Sequence, residues 1–438
     1  MGLFFMNETF EANAAILRRR WPKLLERLLQ EDLSALQQST DLVTGRAGTL
    51  RVGSIQLTSR YDRRGEASLQ AASVPRGATC VSLYGCGLGD VQGVLLERSE
   101  LHTLNVWILN AGLFALVLHL VDQSAWLNNP RVELALASRE KGLLRPFVAL
   151  PAELALADEE NARIRDLLVM ELQRDFVNRK FDPRAAQWQE RLSSNLELLR
   201  QDADVAELFA SERGREFFVV ATGPSLEGHL DRLRAIRARA DRPFFVAVDT
   251  ALLPLVRNGI VPDAVVSIDP DVAIGHFPLE DTEQTALIYF PSVSNAVISA
   301  WRGPRYAAYS GGKLFDEIRR RIGKAQLYAN GSVIHPAVDL AVRMGACSVT
   351  LFGADFSFPG DKSYAFWKDG VLGGNQATAK HWVLNGHGER VKTQLNFRSY
   401  LYGLVDYIAT HPDVVFFNTS RDGAHIEGAR FHPEFVSG

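Results

Sequence analysis

The sequence predicts an α/β protein with a Rossmann-like N-terminal domain and a second Rossmann-like domain whose sheet is mostly parallel. Short apolar strands alternate with helical segments through the second half, as in Phe217–Ala221, Phe244–Val248 and Ser348–Phe352. Strands that are apolar along their whole length are typical of a parallel sheet covered by helices on both faces. Two glycine-containing loops also follow apolar strands and precede helices, which is where such folds bind ligands.

The composition limits the classes of function. A chain of 438 residues suggests two or three domains, at roughly 100–200 residues per domain. Hydrophobic residues make up 47% and charged residues 23%, which excludes a disordered, collagen-like or coiled-coil protein. The net charge of −3 gives no global basic field for nucleic acid. Cys80, Cys86 and Cys347 match neither a disulfide framework nor a zinc spacing, so we expect a cytoplasmic protein.

The order of patterns along the chain predicts its division into domains. Residues 9–39 have helical periodicity, and residues 48–75 look like short strands joined by polar turns. The segment Ala157–Glu212 is predicted to be helical, with Pro183 as a break. We therefore predict an N-terminal Rossmann-like domain at 1–155, a helical connector at 156–212 and a second α/β domain at 213–438.

The most apolar stretch of the chain, Leu104–Val121, has the length of a membrane span. It contains Asn105, Asn110 and His119, and polar groups inside a span are costly. We interpret it as a buried strand, Leu104–Leu109, followed by a buried helix, and expect no membrane span.

The first glycine-rich loop, Tyr84–Asp90, follows a predicted strand and precedes a predicted helix. Glycines in that place let a ligand approach the backbone amides. A dinucleotide or methyl-donor site also needs an acidic residue at the end of the next strand, to bind ribose. That position holds Asn110. Two interpretations remain, a weak cofactor site or a tight turn that binds nothing. We favour the turn and expect no bound S-adenosylmethionine or NAD.

The second glycine loop, Thr222–Leu226, ends another apolar strand. Ser225 is a good N-cap for the helix that follows. Gly223 leaves space where a phosphate could approach the backbone. We therefore expect Gly223→Val to abolish nucleotide binding with little change in the fold.

Three carboxylates follow strands of the same domain, namely Asp249, Asp269 and Asp355. A single aspartate after a strand is commonly a helix cap. Because the carboxyl ends of parallel strands meet at one edge of a sheet, we expect these three to lie at one edge with the second loop. Together they predict a ligand-binding site, and Asp249 and Asp269 are expected to be neighbours.

These segments resemble the motility accessory factor (Maf) family of bacterial flagellin glycosyltransferases. The resemblance is collinear and covers most of the chain. The segments that carry it are L-Y-G-C-G-L-G (83–89), A-T-G-P-S-L (221–226), V-D-T-A-L (248–252), G-I-V-P-D-A-V-V-S-I-D-P (259–270), N-G-S-V-I-H-P-A-V-D-L-A (330–341), L-F-G-A-D-F-S (351–357) and N-T-S-R-D-G-A-H-I-E-G (418–428).

The resemblance implies a cytosolic enzyme of motility that moves a nonulosonic acid from a CMP-sugar to Ser or Thr of flagellin. The sugar would be of the pseudaminic, legionaminic or sialic type. The implied partners are flagellin and the CMP-activated sugar, with no nucleic acid. No cofactor is implied, and Mg²⁺ is the less favoured alternative.

The central domain is also similar to bacterial sialyltransferases that use CMP-activated sugars, which have a G-N-G-P-S loop and a G-x-D-F segment followed by a tyrosine. The implied nucleotide-sugar-binding residues are Thr222, Gly223, Pro224, Ser225, Asp249, Asp269, Asn330, Gly331, Ser332 and Gly353. The implied catalytic residues are His381, Tyr364 and Asp355. Tyr364 would bind the leaving phosphate and His381 would be the general base, with His387 as a second candidate.

Departures from that pattern leave alternatives open. Thr222 stands where the loop has an asparagine, and Asp249 and Asp269 also replace asparagines. Ser357 or Phe358 replaces one of two leaving-group tyrosines. The same domain resembles an archaeal 6-hydroxymethyl-dihydropterin diphosphokinase, in which carboxylates would hold Mg²⁺. A P-loop lysine is missing, which counts against the diphosphokinase. We favour ribose recognition by one of Asp249 and Asp269 over a metal site, because no third carboxylate is adjacent in sequence. The third alternative is a flagellin-binding protein without catalysis.

Overall fold

The computed structural model describes residues 8–139, 142–179, 186–311, 313–368, 371–372 and 374–437. The chain divides into two compact units, Met1–Asp175 and Phe176–Gly438. The division falls inside the segment 156–212 that the sequence assigned to a connector, and the three-part division stays a prediction. The predicted break at Pro183 lies outside the described residues.

The first unit contains a four-stranded parallel sheet and a three-stranded antiparallel sheet. Its helices are α1 (Glu8–Arg20), α2 (Pro22–Leu28), α3 (Ser34–Gln38), α4 (Arg63–Ala71), α5 (Asp90–Leu96), α6 (Ala111–Leu120), α7 (Ser124–Leu127), α8 (Pro151–Ala155) and α9 (Ala162–Arg179), which crosses the division. Its strands are β1 (Thr40–Val43), β2 (Thr49–Val52), β3 (Ile55–Gln56), β4 (Cys80–Tyr84), β5 (Thr103–Ile108), β6 (Val132–Leu136) and β7 (Phe147–Ala149). The parallel sheet has the order β6-β5-β4-β7.

Most sequence predictions for the first unit are confirmed, and one is wrong in part. The strand–loop–helix–strand unit appears as β4, α5 and β5, and the apolar stretch 104–121 is a strand followed by the buried helix α6. Residues 63–71, expected among strands, form α4. Asp62 caps this helix by accepting a hydrogen bond from the Gly65 N–H, and Ala67 and Ala71, one turn apart, are buried.

The second unit is built on a nine-stranded sheet. Its helices are α10 (Ala186–Gln201), α11 (Leu230–Arg237), α12 (Asp249–Arg257), α13 (Asn295–Ala300), α14 (Asp316–Arg321), α15 (Ile334–Met344) and α16 (Leu395–Ala409). Its strands are β8 (Ala203–Asp204), β9 (Glu216–Val220), β10 (Phe244–Val248), β11 (Ala264–Ser267), β12 (Ala286–Tyr289), β13 (Arg305–Ala307), β14 (Tyr309–Ser310), β15 (Gln326–Leu327), β16 (Ser348–Phe352), β17 (His381–Leu384), β18 (Arg390–Thr393), β19 (Val415–Asn418) and β20 (Arg430–Phe431). The sheet has the order β20-β19-β16-β9-β10-β11-β12-β13-β8.

Every pairing in this sheet is parallel, so the prediction of a mostly parallel sheet is confirmed. The chain leaves β9 towards β10 on one side and later returns to place β16 on the other side. Strand order therefore reverses at β9, and a crevice opens at the carboxyl ends of β9 and β16. The α/β class with two Rossmann-like units is confirmed.

No helix within the described residues is both long and apolar enough to cross a membrane.

Candidate functional site

A cleft of about 610 Å³ lies at the carboxyl edge of the nine-stranded sheet. It brings together many of the residues predicted from the sequence. Those that line it are Thr222, Gly223, Asp249, Asp269, Gly331, Ser332, Gly353, Asp355 and Tyr364. Pro224, Ser225, Asn330 and His381 are not among the described residues that line it.

The 222–225 loop uses the backbone amides of Gly223 and Ser225 within the protein. The Gly223 N–H donates to the Gly353 carbonyl at 2.8 Å, and the Ser225 N–H donates to Asp355 Oδ2 at 2.8 Å. Pro224 has no N–H group. The loop therefore has no amide between 223 and 225 left for a phosphate. Ser225 is not the N-cap, because Gly223 takes that position before the short 3₁₀ helix Pro224–His229.

The carboxylate of Asp355 fills the space beside Gly223. A Cβ on Gly223 would collide with Asp355 Oδ2 and would lie 2.5 Å from the Gly353 carbonyl oxygen. A Cβ on Gly423 would lie 2.6 Å from Asp355 Oδ1. The expectation that Gly223→Val leaves the fold intact is therefore wrong, because the space belongs to the buried carboxylate. Burial raises the pKa of Asp355, and its hydrogen bond with Ser225 opposes that shift.

The loop before α15 has free amides. The N–H groups of Gly331, Ser332 and Val333 make no hydrogen bond to any other described residue. They line the cleft at the N-terminus of an 11-residue helix, where the partial positive charge of the helix favours an anion. Asn330 does not line the cleft, and its side chain lies against Gly403 of α16.

Asp249 and Asp269 are neighbours, as the sequence predicted, since the charge of Asp269 acts on Asp249. Asp249 is fully buried, and it accepts hydrogen bonds from the Thr250 N–H at 2.8 Å and the Ser267 hydroxyl at 2.9 Å. Burial raises the pKa of Asp249 to about 7. Asp269 is exposed, and its Oδ1 accepts the Asp271 N–H at 2.8 Å. Across the described residues, no group of three or more His, Cys, Asp or Glu could hold a metal ion.

Two tyrosines form one wall of the cleft, and the sequence identified only Tyr364. The Tyr364 hydroxyl donates to the Leu372 carbonyl at 3.2 Å. Burial raises its pKa to about 12, with Tyr400 and Asp269 adding to the shift. Burial likewise raises the pKa of Tyr400, again with a contribution from Asp269. Both hydroxyls thus stay protonated at neutral pH, and the Tyr364 proton is engaged by the Leu372 carbonyl.

Tyr400 could have been found from its place on an aromatic helix face, three residues after Phe397, but α16 was not recognised in the sequence. A Cβ on Gly331 would lie 2.8 Å from Tyr400 Cε1. The glycine at 331 therefore lets the Tyr400 ring approach the loop that has the free amides. Gly331 also has φ of +84°, which favours glycine.

The two predicted histidines lie away from the cleft wall. His381 is the first residue of β17 and pairs with Thr393 of β18. The Thr393 hydroxyl donates to the Phe356 carbonyl at 2.6 Å, and Phe356 lines the cleft. His387 Nε2 lies 3.6 Å from Asp422 Oδ1. The base role of His381 stays a prediction.

The charges of the cleft are of one sign. Of the described residues that line it, the charged ones are all aspartates, namely Asp249, Asp269, Asp271 and Asp355. No lysine, arginine or histidine is among those lining residues. Any anionic ligand must therefore be held there by N–H and O–H groups or brought with a cation.

Asn110, which stands where a ribose-binding carboxylate is expected in the first unit, uses its side chain in hydrogen bonds to the backbone. Its Oδ1 accepts the Leu113 N–H at 2.8 Å as the cap of α6, and its Nδ2 donates to the Leu156 carbonyl at 2.6 Å. The expected absence of a cofactor in this unit stays a prediction.

Comparison with known proteins gives two similarities. Residues 190–361 match the family model described as "6-hydroxymethylpterin diphosphokinase MptE-like". A solved structure of a Maf glycosyltransferase from Magnetospirillum magneticum AMB-1 matches with 16% identity and a TM-score of 0.47, over 98% of this chain and 75% of that chain. No curated protein matches. Of the three resemblances inferred from the sequence, those to the Maf family and to the pterin diphosphokinase are found, and the one to sialyltransferases stays a prediction. Over residues 190–361 this chain is similar to the MptE-like family.

Proposed function

We propose that this chain is a glycosyltransferase that moves a nonulosonic acid from a CMP-activated donor to serine or threonine hydroxyls of flagellin. The observation that carries the proposal is the convergence of the motif segments on one cleft of about 610 Å³. That cleft combines free amides at the start of α15 with two tyrosine hydroxyls. A pocket of this size suits a nucleotide-sized ligand, for which roughly 300–1,000 Å³ is usual.

The free amides fit the donor phosphate. Gly331, Ser332 and Val333 present N–H groups that no other described residue binds, and the N-terminus of α15 adds its partial positive charge. The exposed Asp269 can accept a hydrogen bond from a ribose hydroxyl. Asp249 at neutral pH is only partly ionised, because burial raises its pKa to about 7, and this reduces its repulsion of an anionic donor.

The chemistry needs one bond to break and one to form. The bond between the anomeric carbon and the phosphate oxygen breaks, and CMP leaves with the electron pair. The acceptor hydroxyl oxygen forms the new bond to the anomeric carbon and gives its proton to a base. Tyr400, and Tyr364 once its proton turns from the Leu372 carbonyl, would donate hydrogen bonds to the phosphate oxygen as negative charge develops there.

Two residues are candidates for the base that accepts this proton, and one variant of each distinguishes them. The resemblance names His381, the first residue of β17, which does not itself line the cleft. Asp269 is the exposed carboxylate that acts electrostatically on both tyrosines. If His381 is the base, His381→Ala lowers kcat by about 10²–10⁴-fold and Asp269→Asn mainly raises KM. The reverse pattern assigns the base role to Asp269.

The test of the proposal is the intact mass of flagellin after incubation with the purified chain and a CMP-nonulosonate. We expect the mass to rise by whole sugar residues. The double variant Tyr364→Phe/Tyr400→Phe should abolish the rise, whereas Tyr61→Phe, on the surface of the first unit, should not. If wild-type protein binds CMP but the mass of flagellin does not change, then flagellin is not the acceptor or the chain does not transfer the sugar. Flagellin from cells with and without the gene gives the same comparison in vivo.

A second candidate is phosphotransfer of the pterin diphosphokinase type. The match over residues 190–361 and the purely acidic lining of the cleft favour it. Mg²⁺ would then bring the triphosphate to the aspartates. Thermal unfolding separates the two candidates, because a ligand bound only by the native state raises the Tm. Stabilisation by CMP without Mg²⁺ supports the glycosyltransferase, and stabilisation only by ATP with Mg²⁺ supports the diphosphokinase.

A further inference from the structure

The glycine-rich loop of the first unit already contacts a carboxylate, and that carboxylate belongs to the protein. Glu153 of α8 reaches back to the loop between β4 and α5. Its Oε1 accepts the Cys86 N–H at 3.1 Å and the Gly87 N–H at 2.7 Å. The Glu153 side chain is only 2% exposed. The loop thus binds an anion that is supplied by its own chain.

The glycines of the loop fit this arrangement. Gly85 has φ of +99° and Gly87 has φ of +53°, values that favour glycine. A Cβ on Gly85 would lie 2.8 Å from Glu153 Cβ, so a larger residue there would displace α8. Backbone N–H groups that converge in this way form a concave site that binds phosphate or carboxylate oxygens.

The two N–H groups that converge on Glu153 Oε1 favour the ionised form of its carboxyl group. Burial raises its pKa, while the hydrogen bonds from Gly87 and Cys86 oppose that shift. The pKa of the Cys86 thiol is raised well above its ordinary value by burial and by the charge of Glu153. The two N–H groups are therefore satisfied by a side chain of the protein at a buried place.

We infer that the first unit contains a closed anion site, in which Glu153 takes the place of the phosphate of a ligand and holds α8 against the sheet. In the wild-type protein the glycine-rich loop then fixes the position of α8 and binds no ligand. Removal of the Glu153 side chain opens a site for inorganic phosphate.

Thermal unfolding of the full chain tests this inference, with inorganic phosphate as the probe and chloride at matched ionic strength as the reference. We expect Glu153→Ala to unfold at a lower temperature than wild type in chloride. Phosphate should then raise the Tm of Glu153→Ala by several degrees more than that of wild type. Glu26→Ala, at an exposed position of α2, is the matched control and should follow wild type. An equal response of Glu153→Ala and wild type to phosphate would overturn the inference.

A second variant covers the case in which Glu153→Ala does not fold. Glu153→Gln keeps the size of the side chain but removes its charge, so phosphate cannot enter. We expect a lower Tm than wild type at neutral pH and no rescue by phosphate. A Tm equal to that of wild type would mean that the charge is not needed, and the anion site would be wrong.

Discussion

The two glycine loops of this protein follow strands of different sheets, but in both a carboxylate of the chain accepts the backbone amides. In the first unit Glu153 accepts the amides of Cys86 and Gly87, and in the second unit Asp355 accepts the amide of Ser225. Both loops are therefore closed by a carboxylate of the same chain. In the less conspicuous loop before α15, the N–H groups of Gly331, Ser332 and Val333 have no hydrogen-bond partner among the described residues. Glycines mark where something approaches the backbone closely, and in both closed loops that group is a side chain of the protein.

The largest effect is expected where a closed loop is forced open. Gly223→Ala places a methyl group against Asp355 and 2.5 Å from the Gly353 carbonyl. We expect a loss of about 2–4 kcal/mol in the free energy of unfolding, because backbone and a buried carboxylate must both move. Denaturant unfolding measures it. Gly228→Ala, with nothing within 4 Å of the added methyl group, is the control and should change stability little. Equal stabilities would mean that the second loop is not closed as described.

Substitution of the tyrosines near the loop before α15 should lower the activity of the protein and leave its thermal stability unchanged. Tyr364→Phe and Tyr400→Phe each remove one hydroxyl from the cleft wall. We expect kcat to fall by about 10- to 100-fold with little change in KM, since the hydroxyls act on charge that develops in the transition state. Steady-state kinetics measure the split, and an unchanged Tm shows that the fold is intact. A change confined to KM would remove the tyrosines from the leaving-group role.

A smaller effect is expected on the pH dependence of stability, and it should distinguish the buried Asp249 from the exposed Asp269. The folded state keeps the Asp249 proton up to about pH 7, whereas an unfolded aspartate releases it near 3.8. The fold therefore loses stability from this group as the pH rises from about 4 to 7. Asp249→Asn removes that loss, because an amide oxygen can still accept the Thr250 N–H and its NH₂ can donate to Ser267.

Relative to wild type, Asp249→Asn should gain up to about 1.4 kcal/mol per pH unit over that range. Urea unfolding at about pH 5 and about pH 7 measures the gain, and binding of CMP should weaken only modestly. Asp269→Asn is the matched control, and a pH-dependent gain of the same size there would contradict the role of burial.

The smallest expected effect is that of metal removal. If the nucleotide is held by its ribose hydroxyls donating to an aspartate and by amides donating to its phosphate, transfer should continue in EDTA at close to its full rate. Loss of transfer in EDTA that Mg²⁺ or Mn²⁺ restores would show that a cation brings the phosphate to the aspartates, and it would favour the diphosphokinase type of site.

The sequence was sufficient for the α/β class, for the parallel strands and for the shared edge of Asp249, Asp269 and Asp355, because continuous apolar strands determine these features locally. It was insufficient to predict which side chains accept hydrogen bonds from the amides of the two glycine loops. Glu153 lies 66 positions from Gly87 in the chain, and only the fold brings them together. Tyr400 was missed because α16 was not recognised in the sequence.

The most direct test of the account is a calorimetric titration of CMP into wild type and two variants, Gly331→Ala and Glu153→Gln. Gly331→Ala places a methyl group against the Tyr400 ring and forces alanine to a φ of +84°, so the free amides lose their geometry. We predict one CMP per wild-type chain, an affinity at least about 10-fold weaker in Gly331→Ala, and an unchanged affinity in Glu153→Gln. Unchanged binding in Gly331→Ala together with lost binding in Glu153→Gln would place the nucleotide on the first unit and contradict the account.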